Sequence, residues 1–415
     1  MKQKSTLQQQ LYTIAFVDLS IKNILDSSSL FQRPEWMDTL FLLIFFGCMG
    51  WKFLLQRYIK PMLVGTVVFG ALFAFVSFRM SYFFLLFTFC GVAGLQDVDL
   101  KKVLRYTSVT KILMILLHVI PYIVTAIVSP EDIVYVYRNG VQRQFFYIGH
   151  PNTFSMYVGW ALLEFTYAYY ERLNRYHLCF IWFINFVVYQ FTDSNTSLIV
   201  STFCLISFLL EKKKPQWIAK VYTPIARYGY LVCSIFFSII TIWFTRMPAV
   251  LKEMYYVLNE FFTGRLLFGS FTYEQFGIAW LGNPSVALRQ KTFFEGYWID
   301  TLVYDNTYIY LLVKYGALFL PIFSVAIILA EKDKEKDTKR NIEKILVIAY
   351  TFFAIMENYS INAVLCFPIL FVGERLFIAY EAKRQKRTDE KNQSKTACVI
   401  GDKNEYNVEC SDTSL

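Results

Sequence analysis

From residue 38 to residue 380 the chain alternates long apolar runs with short polar breaks. The runs are Asp38–Leu55, Met62–Phe78, Met80–Leu95, Ile112–Val128, Thr153–Tyr170, Leu178–Phe191, Thr196–Leu210, Gly229–Phe244, Asn306–Ala330, Ile342–Met356 and Ile361–Tyr380. Most approach the ~20 residues that a helix needs to cross a bilayer, and the shorter ones can cross by local thinning or snorkelling. The pattern therefore predicts an all-α polytopic membrane protein with about 11–12 transmembrane helices. An earlier stretch, Leu11–Leu30, is only half apolar and carries Asp18, Lys22 and Asp26. It reads either as a weak first span or as an interfacial helix.

The breaks alternate in charge. Lys52–Lys60, Lys101–Lys111, Glu171–His177, Glu211–Arg227, Glu331–Lys344 and the tail from Lys383 are basic; Phe31–Met37, Ser129–Gly149, Thr192–Asn195, Met247–Asp305 and Glu357–Ser360 are less so. Basic breaks stay on the cytoplasmic side. Both termini are then expected in the cytoplasm, with Leu11–Leu30 crossing. One transmembrane domain, 1–380, would carry a first outer loop at 129–152 and a large one at 247–305. The large loop has no run long enough to span, and loops of that length are usually functional or disordered. Its many Phe, Tyr and Trp residues favour an ordered cap over a site. The polar segment 381–415 reads as a disordered cytoplasmic tail.

Composition agrees. Of 415 residues, 56% are hydrophobic and 18% charged, below the ~25% charged residues of soluble domains. The net charge of +9 is concentrated in the breaks and the tail. It reads as a topology signal, and no nucleic-acid partner is expected. The eight cysteines form no CxxC pair, so neither a structural disulfide nor a zinc site is expected. No cleavable signal-peptide pattern is visible. No domain-scale repeat is visible either, which counts against inverted-repeat transporters.

Several polar positions could carry chemistry. In the first outer loop Arg143 precedes His150-Pro151-Asn152. Proline suits the first helical turn, which places His150 and Asn152 at a helix N-terminus, where anions are favoured. Two readings stay open for Arg143: a lipid-headgroup anchor, or a bidentate clamp on phosphate oxygens. In the large loop, Thr263-Gly264-Arg265 suggests a tight turn that projects a guanidinium. Asp305-Asn306 precedes Tyr308 at the start of a run; it is an N-cap candidate, and Asp305 could also accept a proton from a hydroxyl. The small polar turn Thr192–Thr196 lies at a depth where polar groups often face a cavity; Glu357-Asn358-Tyr359 and Glu374-Arg375 raise the same question. Asp97-Val98-Asp99 resembles a metal-binding DxD but falls at a cytoplasmic helix end, and reads as a solvated turn.

Taken as a set, these residues resemble the Wzy-type polysaccharide polymerases of the O-antigen ligase/polymerase superfamily, in their Gram-positive capsular form. The carriers are Arg143 with His150-Pro151-Asn152, then Thr263-Gly264-Arg265, then Asp305-Asn306-x-Tyr308 with Lys314-Tyr315-Gly316, over roughly residues 31–380. Family members often have glycine where Tyr147 stands, and many have arginine where Asn195 stands, which leaves Arg143 and Arg265 as the cationic candidates.

The resemblance implies a GT-C-like glycosyltransferase in the plasma membrane of a bacterium. It would join undecaprenyl-diphosphate-linked oligosaccharide units at the outer face, metal-independently and without a cofactor. Arg265, His150 and Asp305 would be catalytic; Arg143, Asn152, Gly264, Asn306, Tyr308 and Trp298 would contact diphosphate or sugar. The bilayer, a flippase and a chain-length regulator are the implied partners. A ligase of the same superfamily and a flippase or transporter for lipid-linked oligosaccharides are the alternatives.

Overall fold

The computed structural model of the protein describes residues 2–378 except 59, 139, 287–290, 300–304, 333–337 and 339. The tail expected to be disordered, 381–415, lies outside the described residues, as does the side chain of Trp298.

The protein is almost entirely helical. Five helices are long and apolar enough to cross a membrane: α2 (Glu35–Leu55), α3 (Lys60–Met80), α5 (Leu100–Val128), α8 (Asn195–Lys213) and α9 (Pro215–Ile242). α1 (Lys2–Asp26) and α4 (Phe84–Ala93) complete the N-terminal half with α6 (Pro151–Tyr169) and α7 (Arg175–Thr192). The C-terminal half holds α10 (Ala249–Phe261), α11 (Arg265–Phe276), α12 (Thr307–Tyr310), α13 (Phe319–Ala330), α14 (Asn341–Met356) and a last helix over 370–378.

Burial sorts these helices into an inner and an outer set. α6 and α14 are interior: 15 of the 19 residues of α6 and 12 of the 16 of α14 are buried. Trp160 of α6 meets the Phe353 ring of α14 edge-on at 5.3 Å between centroids. By contrast only three of the 21 residues of α2, and three of the 21 of α3, are buried. Their exposed Leu43, Leu54, Val64 and Val67, with Ile127 and Val128 of α5, form an apolar outer surface. An apolar surface of that extent on a helical protein suits lipid.

The ambiguous first segment resolves as one 25-residue helix, α1. At 1.5 Å per residue it is about 37 Å long. It packs on α2 and α5, and its Gln8, Asp18, Ser20 and Asn23 are buried inside the bundle. Its polar residues therefore face protein, which is why its hydropathy looks weak. Met80–Leu95 differs more from expectation. Its helix covers only Phe84–Ala93, ten residues, or about 15 Å, about half of the hydrocarbon thickness. A turn with Ser81 at φ 51° delays its start.

The expected outer segments are ordered where described. A hairpin, β1 (Val136–Arg138) and β2 (Val141–Arg143), pairs antiparallel with Val136 opposite Arg143. The large loop contains α10, α11 and a second hairpin, β3 (Thr292–Phe294) with β4 (Tyr297–Ile299). Between α12 and α13 the helix widens into a π-helical turn, Leu311–Gly316. Such widenings often mark functional positions. The stretch 279–283 runs alongside this turn: Ala279 N–H donates to Leu312 O (3.1 Å) and Asn283 N–H to Lys314 O (2.8 Å).

Candidate functional site

The site is built around Arg265. α10 ends just before two consecutive left-handed residues, Thr263 (φ 53°) and Gly264 (φ 84°). Glycine tolerates that conformation freely, and a Cβ on Gly264 would stand 3.1 Å from the Phe268 ring. The turn makes Arg265 the first residue of α11 and drives its side chain inward, where it is 7% exposed. Its Nε donates to Met356 O, and Nη1 to Phe262 O (3.3 Å) and to Thr263 Oγ1. Nη2 lies 3.0 Å from Glu357 Oε1 and 3.9 Å from Asp305 Oδ2.

Two carboxylates thus share one guanidinium. Glu357 follows the end of α14, and its side chain is 6% exposed; that of Asp305 is 33% exposed. Thr196 Oγ1, at the start of α8, donates to Glu357 Oε1 (3.3 Å). Thr307 Oγ1 donates to the Glu357 carbonyl (2.5 Å) and lies 2.7 Å from Ser360 Oγ. Burial pushes the Glu357 carboxyl well above the usual carboxylate range; the Asp305 charge adds to this, and Arg265 opposes it. Asp305 is also raised by burial, with Arg265 opposing. With one positive charge between them, the pair holds one proton readily. We assign that proton to Glu357, the more enclosed of the two, which leaves Asp305 as the more accessible acceptor.

Arg143, at the end of β2, forms a second buried cation, 2% exposed. Its Nε donates to Thr192 O (2.7 Å), and Nη2 to Asn152 Oδ1 (2.5 Å) and Asp193 O (3.5 Å). Nη1 has no partner among the described residues and is the free donor edge. Asp193 is left-handed (φ 47°) and also binds Arg138 Nη2 through Oδ2 at 2.5 Å. The turn Thr192–Thr196 therefore touches Arg143 and the partner of Arg265: its first residues accept from Arg143, and Thr196 reaches the Glu357 carboxyl.

His150 caps α6 as the position of Pro151 suggests. Its Nδ1 accepts from Asn152 N–H at 3.4 Å. Partial desolvation lowers its pKa, and the nearby charges of Arg143 and Arg138 lower it further. The ring is then neutral near pH 7, with the proton on Nε2, which is left as a donor. That tautomer suits contact with an anion better than proton abstraction.

The remaining expected site residues are placed differently. Asn306 caps α12, its Oδ1 accepting from Tyr308 N–H (2.9 Å) and Ile309 N–H (3.4 Å). Tyr308 is fully buried, edge-on to Tyr230 at 5.3 Å, with its hydroxyl on Thr351 O (3.3 Å). It shapes the wall behind Asn306 and Thr307. Gly264 acts through its turn. Asp99 caps α5 through Lys102 N–H (3.1 Å), which accounts for half of the DxD-like sequence without a metal.

Glu357 is the site residue that sequence reasoning left without a role. Its signal was an acid closing an apolar run with no lysine or arginine one helical turn away. Lys314, on the π-helical turn, lies over the Tyr82 ring (4.6 Å) and donates to Tyr310 OH (3.0 Å). Among the described residues no group of three or more His, Cys, Asp or Glu side chains could hold a metal ion. No protein-family model, curated protein or solved structure matches this chain.

Proposed function

We propose that the protein is a membrane glycosyltransferase of the polymerase type, joining oligosaccharide units carried on undecaprenyl diphosphate. One observation carries the reading. Arg143 and Arg265, buried cations from two separate outer segments, are linked through a single small turn, and a partly exposed carboxylate lies beside one of them. A glycosyl donor activated by diphosphate needs charge stabilisation at the leaving group and a proton acceptor at the attacking hydroxyl. Both demands are matched here. Tyr147 adds support: where the resembled family often has glycine, its φ is 59°, a conformation that glycine adopts freely.

In this mechanism the acceptor hydroxyl oxygen bonds to the anomeric carbon and its proton passes to the Asp305 carboxylate. The bond from that carbon to the diphosphate oxygen breaks, and lipid diphosphate leaves with the electron pair. Arg143 Nη1 and His150 Nε2–H face the charge that grows on the leaving oxygens. Arg265, saturated by its neighbours, holds Asp305 and Glu357 in place. Its fixed charge favours the ionised form of Asp305 against the effect of burial.

The test is a polymer ladder from a deletion strain complemented with wild type or with Asp305→Asn. Single repeat units on deletion, restored to a ladder by wild type alone, are expected. Full-length polymer left unattached would move the protein to the ligase class. An unchanged ladder in the deletion strain would remove the transferase reading.

A further inference from the structure

The first helix of the large loop is amphipathic, and the protein leaves its apolar side bare. α10 has 13 residues, a length of about 20 Å. Its buried residues are Tyr255 and Asn259, one turn apart. Tyr255 packs on the Phe244 ring at 6.0 Å, and Asn259 Oδ1 accepts from Leu267 N–H at 2.9 Å. At about 100° per residue, the opposite side carries Val250, Met254, Val257 and Phe261. Each of these is more than half exposed. An apolar stripe with helical spacing, opposite the face that packs on protein, is the pattern of an interfacial helix.

Ring contacts fix the depth of the stripe. Phe244, just past the end of α9, meets Tyr255 and Tyr256 in the middle of α10. Phe262, at the end of α10, meets Phe237 of α9 edge-on at 5.2 Å. Moving forward along α10 therefore means moving back along α9: the second half of α10 descends beside the end of α9, over about 10 Å. α9 is long and apolar enough to cross the bilayer, and Phe236, Ile239 and Trp243 at this end of it are exposed. Phe261, ring to ring with Phe262 at 5.1 Å, reaches the level of Phe237. The stripe is thus continuous in depth with a lipid-facing surface, and lipid is the occupant that this continuity favours. Glu253 and Glu260 are exposed along one flank. Carboxylates need water, so the helix rests at the headgroup–acyl boundary and no deeper.

We infer that α10 is seated in the bilayer interface on the side of the large loop, with Val250, Met254, Val257 and Phe261 among the acyl chains. The inference needs only that α9 crosses the membrane, and it is independent of the transferase reading. It bears on the site because α10 leads into Arg265. Gly264 N–H donates to Asn259 O (2.7 Å), so the turn that carries Arg265 is clasped to the seated helix. The lipid surface then sets the depth of that turn.

The test uses the full chain in phosphatidylcholine nanodiscs, with an environment-sensitive fluorescent amino acid placed singly at Val257, Phe261 or Glu253. These side chains are exposed, so the probe displaces no packed neighbour, and a wild-type Tm shows that each labelled protein is folded. At Val257 and Phe261 the emission is expected to be blue-shifted, quenched by lipid carrying a nitroxide near the top of its acyl chain, and spared by iodide. At Glu253 iodide should quench. A benzoylphenylalanine at Met254 is expected to capture phosphatidylcholine. Iodide quenching at either Val257 or Phe261 puts the stripe in water and overturns the seat. Equal lipid quenching at Glu253 leaves no oriented face and does the same. Blue emission that neither quencher reaches, or capture of a second copy of the chain at Met254, gives the stripe to protein and also overturns it.

Discussion

Arg265 and Glu357, 92 residues apart in the chain, meet inside the protein with Nη2 3.0 Å from Oε1. Arg265 is unusable alone at that depth, because an unpaired buried charge is costly. Together they fix the turn before α11 to the end of α14 and leave Asp305 as the more exposed carboxylate.

That relationship predicts opposite behaviour for two substitutions. Glu357→Ala leaves Arg265 Nη2 without its buried acceptor and should cost about 1–3 kcal/mol, read as a lowered Tm in detergent and loss of polymer. Glu357→Gln keeps an acceptor for Nη2 and mimics the protonated acid, so the ladder should remain. The pH dependence has a definite sign. The folded carboxyl lies above the ordinary range, so the fold binds this proton more tightly than the unfolded chain does. The resulting stabilisation is complete below about pH 4.3 and is lost as pH rises towards the folded value. Glu357→Gln should therefore gain in Tm over wild type as pH is raised. A constant gap between pH ~5 and ~9 would refute the protonated assignment.

Arg143 makes a separate prediction. Its Nε and Nη2 support the turn, and Nη1 has no partner among the described residues. Arg143→Lys should reduce polymer at least about tenfold, because one ammonium cannot replace a planar fork. Arg138→Ala removes a neighbouring bond to the same turn, 36% exposed, and should reduce polymer much less. A ladder equally shortened by both would make Arg143 a support for the turn alone.

Deep in the bundle, Lys111 of α5 and Glu164 of α6 form a buried pair. Thr107 completes the carboxylate, and the Val364 carbonyl completes the ammonium. It fastens the α5–α6 interface to the segment before the last helix. Glu164→Ala should lower stability by about 3–5 kcal/mol, whereas replacing both residues by methionine should recover most of it. Thermal melts of the two variants and the double variant check this; an inert Glu164→Ala would contradict the pairing.

The helical pattern was legible because burial and lipid exposure both demand apolar residues, and the caps were legible because their chemistry is local. His150-Pro151 opens α6, and Thr263-Gly264 turns the chain into α11, as the residue types suggest. The partner of Arg265 was not legible. Glu357 sits in another break, and nothing within one helical turn of either residue points to the other. α1 looked weak for a related reason. Hydropathy assumes lipid around a helix, whereas Gln8, Asp18 and Asn23 are enclosed by protein. Tyr308 lay in a suggestive motif, yet its neighbours on α9 and α14 make it a core residue.

Gly316 tests whether the large loop is fastened to the scaffold. It ends the π-helical turn with φ 122°, and any Cβ there would stand within contact distance of the Trp280 carbonyl. Two costs coincide: a left-handed backbone that L side chains resist, and displacement of the stretch at 279–283 from its bonds to Leu312 and Lys314. Gly316→Ala should therefore detach that stretch while α13 and the helices around it stay folded. Limited proteolysis should then cut near residues 277–286 in the variant and spare the wild type. Because Lys314 shares the turn, polymer should shorten too. Identical digestion patterns would mean that the loop is held elsewhere.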